Sequence, residues 1–162
     1  MKIINVMIGL PGSGKSTFCS ENVIGNAKWV SVDAIREKCL GERDTYFAKE
    51  TMVFNTLINT VIKCMQEEEY EIWVDATHIN AAARMKLLSC LPITKDIDIY
   101  YYFFETDERE CLRRNRKRVG RARVPEGAIK SMSERAQMFI TEAEERAYHP
   151  TEFRVNEEGE II

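Results

Sequence analysis

The octapeptide GLPGSGKS, Gly9 to Ser16, constrains this chain more than any other stretch. It matches the pattern GxxxxGK[ST], which requires a strand before it and a helix after it. Lys2–Ile8 is a short, nearly continuous apolar run, as suits a strand buried on both faces of a parallel sheet. The residues after the loop, STFCSEN, read as a helix. Glycines lack a Cβ, so backbone N–H groups can curl around phosphate oxygens. The N-terminus of the helix adds a partial positive charge. The expected ATP-binding set is therefore Gly9, Pro11, Gly12, Ser13, Gly14, Lys15, Ser16 and Thr17. Lys15 is expected to reach the β- and γ-phosphates, and Ser16 to offer its hydroxyl to Mg²⁺. A glycine turn with no ligand is the alternative, and the full motif in its context argues against it.

The remainder alternates strand and helix. Lys28–Val32 and Tyr70–Val74 read as strands that end at Asp33 and Asp75, and Ile97–Glu105 as a fourth. A helix is expected to start near Asp33. Between Thr45 and Gln66, apolar residues at 54, 57, 58, 61, 62 and 65 make a one-faced helical stripe. NAAARMKLLSCL reads as a helix closed by Pro92, and TDERECLRRNRKR as one with Thr106 as N-cap. A last long helix is expected from Pro125 to Glu145, with Ile129, Met132, Ala136, Phe139 and Ala143 as its stripe. The polar tail from Pro150 adds a short edge strand or frays. The expected fold is α/β, a three-layer P-loop NTPase fold. It has a central parallel sheet of four or five strands, flanked by helices, and an arginine-rich lid.

Composition narrows the function. The 162 residues suggest one domain, 1–162. No run approaches the length of a membrane span, and the N-terminal residues lead into the glycine loop without a cleavage site. Five cysteines lie twenty or more residues apart with no CxxC pair, so reduced thiols and a cytoplasmic setting are expected. Net charge is −3, yet Arg109 to Arg123 alone carries eight bases and one acid. A uniformly basic nucleic-acid coat is excluded. Positive charge is concentrated in one segment, and as a lid this covers about 113–125. A nucleic-acid-binding arm is the other reading of the same run.

Ligands of open α/β sheets sit outside the carboxyl ends of the strands, so Asp33 and Asp75 should face the P-loop crevice. Asp33 is followed by Arg36, one helical turn on, placing a carboxylate and a guanidinium on one side. The carboxylate can take a hydroxyl proton, and the guanidinium can hold an anion. Asp33 could also cap its helix, and the two roles can coexist. Asp75 would orient Arg36 or a water on Mg²⁺, or cap the next helix. Thr77, His78 and Asn80 either cap that helix or line an acceptor pocket. Two histidines and no close cysteine pair argue against structural zinc. The absence of an NKxD motif argues against a GTPase. Asp96 to Asp98 precede the apolar run rather than following it, which rejects an aspartate-nucleophile phosphatase.

In order, GLPGSGKSTF, SVDAIRE, VDATHIN and RRNRKR…RVP resemble the motifs of polynucleotide 5′-kinases, the kinase domains of phage and bacterial RNA-repair enzymes. The resemblance runs from about Ile3 to Arg135 and extends to related P-loop kinases of other substrates. It implies ATP and Mg²⁺ as cofactors and a 5′-OH nucleic-acid end as acceptor. Asp33 then matches the general base and Arg36 the arginine that grips the acceptor's phosphate. Asp75 matches an acid supporting that arginine, and Arg114, Arg118 and Arg121 match basic lid positions over the nucleotide. Asp33, Lys15 and Arg118 make up the catalytic set; Arg36, Asp75, Thr77 and His78 form the acceptor side. The family's asparagine within the DAT motif is His78 here. The alternatives are a small-molecule kinase acting on a nucleoside, sugar, antibiotic or nucleotide sugar, and a nucleotide-binding regulator without catalysis.

Overall fold

The computed structural model describes residues 1–136 and 141–162. β1 (Lys2–Ile8) runs through the middle of the sheet, with β3 (Tyr70–Asp75) on one side and β4 (Ile97–Phe104) on the other. β2 (Lys28–Ser31) forms one edge and β5 (Thr151–Val155) the other, giving the order β2-β3-β1-β4-β5 with every pairing parallel. Position explains the continuous apolar run of β1. Ile4, Val6 and Ile8 face one core cluster, shared with Leu57, Val61 and Leu87, whereas Met7 faces the other, with Phe18, Trp73 and Phe104. Each such buried side chain stabilises the fold by about 2 kcal/mol. The polar tail supplies β5, so it pairs rather than frays.

The helices are α1 (Lys15–Asn22), α2 (Val32–Cys39), α3 (Glu50–Cys64), α4 (Ala81–Ser89), α5 (Glu108–Arg116), α6 (Glu126–Arg135) and α7 (Ala143–Arg146). Several ends differ from expectation. Ser31, not Asp33, caps α2, its hydroxyl accepting from Ala34 N at 3.2 Å. Asp33 is thereby free of capping duty. Asp107, not Thr106, caps α5. Thr106 instead donates through Oγ1 to Ser13 O at 2.8 Å, tying the start of α5 to the phosphate loop. The stripe from Thr45 becomes helical only at Glu50, which leaves Tyr46 and Phe47 in the preceding turns. The expected long last helix is interrupted. α6 ends at Arg135, its C-cap Ala136 has an extended φ of −78° and ψ of 108°, and α7 is a separate turn with a capping box. Phe139, expected on its stripe, lies outside the described residues. Among those residues no helix is long and apolar enough to cross a membrane.

The chain passes from β1 outward to β2, back through β3, and across to β4 on the other side of β1. The strand order therefore reverses at β1, and a crevice opens at its carboxyl end. The GLPGSGKS loop lies there.

Candidate active site

The loop is shaped by what it cannot accommodate. A Cβ on Gly12 would lie 2.7 Å from Cys111 O, and its φ of +84° is in the left-handed region. A Cβ on Gly9 would lie 2.6 Å from Ser13 Oγ and 2.9 Å from Phe104 Cβ. Gly9 sits at the base of the loop, where its N–H donates to Thr77 O at 2.9 Å. That N–H is committed within the protein, and of the expected ATP-binding set Gly9 does not border the main cleft. The others, Pro11, Gly12, Ser13, Gly14, Lys15, Ser16 and Thr17, line a cleft of about 510 Å³. α1 starts at Lys15, so the N–H groups of its first turn lack intrahelical partners there.

Lys15 is nearly buried, at 8% exposure, and folds back on the loop. Its Nζ donates to Leu10 O at 2.8 Å and Gly9 O at 3.0 Å. Burial lowers its pKa, and the charge of Asp75 opposes that shift. Ser16 Oγ donates to Asp75 Oδ2 at 2.9 Å, and Trp29 Nε1 donates to the same oxygen at 3.1 Å. Burial raises the pKa of Asp75, against the pull of Lys15. Ser16 and Asp75 together present a hydroxyl and a carboxylate, the hard oxygen donors that suit Mg²⁺. Among the described residues no group of three or more His, Cys, Asp and Glu could hold a metal by itself. Two protein oxygens with the rest from phosphate and water is the usual arrangement for Mg²⁺, so the residues fit the ion.

Asp33 and Arg36 meet as their spacing suggested, but Asp75 is not part of their group. Arg36 Nη1 donates to Asp33 Oδ1 at 3.1 Å and to Tyr46 Oη at 3.0 Å. Its Nε and Nη2 donate to the two carboxylate oxygens of Glu50, at 3.0 and 3.1 Å. The expectation that Asp75 supports Arg36 is therefore corrected: Glu50 does so, from the first turn of α3. Burial opposes the charge of Arg36, yet the Glu50 hydrogen bonds raise its pKa. Four of its five N–H donors are engaged by these partners, which fixes the plane of the guanidinium. Asp33, whose side chain is 58% exposed, presents its carboxylate to the cleft. Tyr46 Oη also donates to Asp33 Oδ1, at 3.3 Å; burial first and Asp33 second push its pKa up to about 12.

Arg114 and Arg118 converge on the cleft. Arg114 Nε is held by Glu110 at 2.9 Å, and its Nη2 donates to Glu157 O at 3.0 Å. The side chain of Arg118 makes no hydrogen bond or ion pair among the described residues. Arg121, expected over the nucleotide, lines instead a second cavity of about 400 Å³. Its Nη2 and Nη1 donate to Gly41 O at 2.7 Å and Leu40 O at 3.3 Å. Asp33, Arg36, Tyr46 and Arg118 border both cavities. Thr77 lines the main cleft, whereas His78 lines neither cavity. His78 is 6% exposed, and its Nδ1 is paired with Met7 O at 2.8 Å. Its expected place on the acceptor side is corrected to a packing role behind the loop.

Glu50, Tyr46, Phe47, Trp29 and the turn at Glu157–Gly159 all border or support the cleft and were not singled out from sequence. Glu50 stands fourteen residues from Arg36 on the polar side of a helical stripe, so no local pattern marks it.

The family model AAA_33, described as an AAA domain, matches residues 4–139. No curated protein sequence is similar enough to match. A chain of the Pnkp1/Rnl/Hen1 RNA repair complex superposes with a TM-score of 0.66 at 22% identity. That match covers 84% of this chain but 44% of the other, so this chain spans less than half its length. A fungal RNA kinase superposes with a TM-score of 0.61 at 13% identity, covering 95% of this chain and 74% of that one. An unliganded sugar kinase from Janibacter sp. HTCC2649 gives 0.61 at 13% identity, covering 98% and 86%. These likenesses show the fold, a five-stranded parallel P-loop kinase arrangement.

Proposed function

Because the chain belongs to the AAA domain family AAA_33, a P-loop family, we propose that it is an ATP-dependent kinase. It passes the γ-phosphate to a hydroxyl, and that hydroxyl is the 5′-OH of an RNA or DNA end. The observation that carries this reading is the Asp33 carboxylate on the border of two adjoining cavities, held by Arg36 and Tyr46. One cavity has the phosphate loop as its floor; the other has room for an acceptor. Similarity to an RNA-repair chain and to a fungal RNA kinase supports the choice of a nucleic-acid end.

In this reading the whole chain acts as one kinase unit. Phosphoryl transfer needs positioning and charge neutralisation rather than covalent catalysis. Lys15 leaves the carbonyls of Gly9 and Leu10 and turns its ammonium to the β- and γ-phosphates. The segment about 113–125 closes as a lid, bringing Arg114 and Arg118 over the triphosphate. Ser16 Oγ and Asp75 would hold Mg²⁺, which would supply positive charge at the phosphates. Asp33 takes the proton of the attacking hydroxyl, and Arg36, locked by Glu50, keeps that carboxylate in place. The one N–H of Arg36 left over is available to the acceptor.

A second reading, a small-molecule kinase, is favoured by the second cavity itself. Its volume of about 400 Å³ suits one sugar or nucleoside, and Asp33 and Glu37 temper its positive charge. Likeness to a sugar kinase fits that reading too. Transfer of label from [γ-³²P]ATP to 5′-OH RNA, 5′-OH DNA, nucleosides and sugars separates the two. Labelling of a metabolite with no labelling of any 5′-OH oligonucleotide would sink the first. Asp33→Asn is expected to lower transfer at least 100-fold while ATP binding stays within about twofold.

A further inference from the structure

The carboxylate of Asp75 is held from two sides. Oδ2 accepts from Ser16 Oγ at 2.9 Å and from Trp29 Nε1 at 3.1 Å, whereas Oδ1 makes no hydrogen bond among the described residues. The two donors are not equivalent. A serine hydroxyl carries lone pairs and can bind a metal ion; an indole N–H is a donor only. When Ser16 turns its oxygen to Mg²⁺, its hydrogen bond to Asp75 is free to loosen, and the Trp29 N–H does not compete for the ion.

Core packing does not account for this placement. Trp29 remains 41% exposed on edge strand β2, whereas its register partner on β3, Trp73, is buried at 5%. Among the described residues the buried indole of Trp73 has no hydrogen-bond partner for its Nε1, while the exposed indole of Trp29 spends its own on the cleft carboxylate. β2 and β3 pair so that Ser31 lies opposite Asp75, and Trp29 reaches the carboxylate from two residues earlier on the neighbouring strand.

We propose that Trp29 is a positioning residue for the Mg²⁺ site: its indole N–H pins Oδ2 of Asp75 so that the carboxylate keeps one orientation toward the ion. This rests on the reading of Ser16 and Asp75 as the metal side of an ATP site. Loss of a hydrogen-bonding partner behind a metal ligand weakens metal affinity by about 10–100-fold. For a partner as exposed as Trp29 the lower end, about tenfold, is expected.

The test reads binding, not turnover. Binding of a non-hydrolysable ATP analogue is followed by calorimetry across a Mg²⁺ titration in wild type and in Trp29→Phe. A protein carrying benzothienylalanine at position 29, which keeps the ring shape and lacks only the N–H, serves as the second variant. In both, the Mg²⁺ concentration for half-maximal binding is expected to rise about tenfold, with metal-free binding unchanged. An unshifted Mg²⁺ midpoint overturns the inference, as does an equal loss of metal-free binding, which would mark ring packing alone. If wild-type binding shows no Mg²⁺ dependence, the reading of Ser16 and Asp75 fails first and takes this one with it.

Discussion

His78 shows how one residue next to the phosphate loop serves the fold. Its backbone φ is +46° and its imidazole is sealed in the interior, paired with Met7 O in the central strand. Burial lowers its pKa to about 4 from an ordinary 6.5. The unfolded chain therefore binds more protons than the folded one between those values, and stability rises with pH across that window. The contribution is complete above pH 6.5 and is lost as pH falls toward 4. His78→Asn, which tolerates the left-handed backbone, should remove this dependence. Urea unfolding at pH 7 and at pH 4.5 is expected to show wild type losing about 2 kcal/mol more than the variant over that interval.

At the scale of elements, the segment after α5 couples to α2. Arg121 bonds Leu40 O and Gly41 O, the C-cap of α2 and the residue beyond it. α2 also carries Asp33 and Arg36, so the arginine segment and the Asp33 carboxylate are linked through one helix. The side chain of Arg118, by contrast, lines the phosphate-loop cleft with no hydrogen bond or ion pair among the described residues. The two arginines should separate in an ATP titration. Arg118→Ala is expected to raise the ATP requirement by tenfold or more, as loss of a charge-assisted contact to phosphate does. Arg121→Ala is expected to change it by less than about threefold, because it removes only backbone contacts away from the main cleft.

At the scale of the molecule, one buried ion pair gathers elements distant in sequence. Arg84 of α4 donates to both carboxylate oxygens of Glu145 in α7, with neither side chain exposed. Tyr101 of β4 donates to Glu145 Oε1 at 3.1 Å, and Arg84 Nη1 reaches His78 O at 3.1 Å. The pair thus secures a helix of four residues, too short to persist alone, against the sheet and the loop behind the site. Glu145→Ala removes the carboxylate that accepts from Nε and Nη2 of the buried Arg84 and is expected to cost about 3–5 kcal/mol in chemical denaturation. The double variant Arg84→Met/Glu145→Leu should cost less than that single one, since the buried guanidinium is removed together with its carboxylate.

The local chemistry of this chain is written in its residue order. GxxxxGK[ST] between a strand and a helix specifies a P-loop, because that backbone leaves N–H groups free for phosphate. Asp33 and Arg36 are one helical turn apart, so a helix capped at Ser31 puts them together. The arginine run marks concentrated positive charge wherever it lies. Which partner each charged group finds was decided by the tertiary structure. Parallel strands β2 and β3 carry Trp29 to Asp75, and the turn before α3 swings Tyr46 and Glu50 onto Arg36. The sheet brings Ser16 to Asp75 although 59 residues separate them in sequence. Hydrogen bonds of that kind depend on where the sheet places its strand ends, and local periodicity carries no information about that.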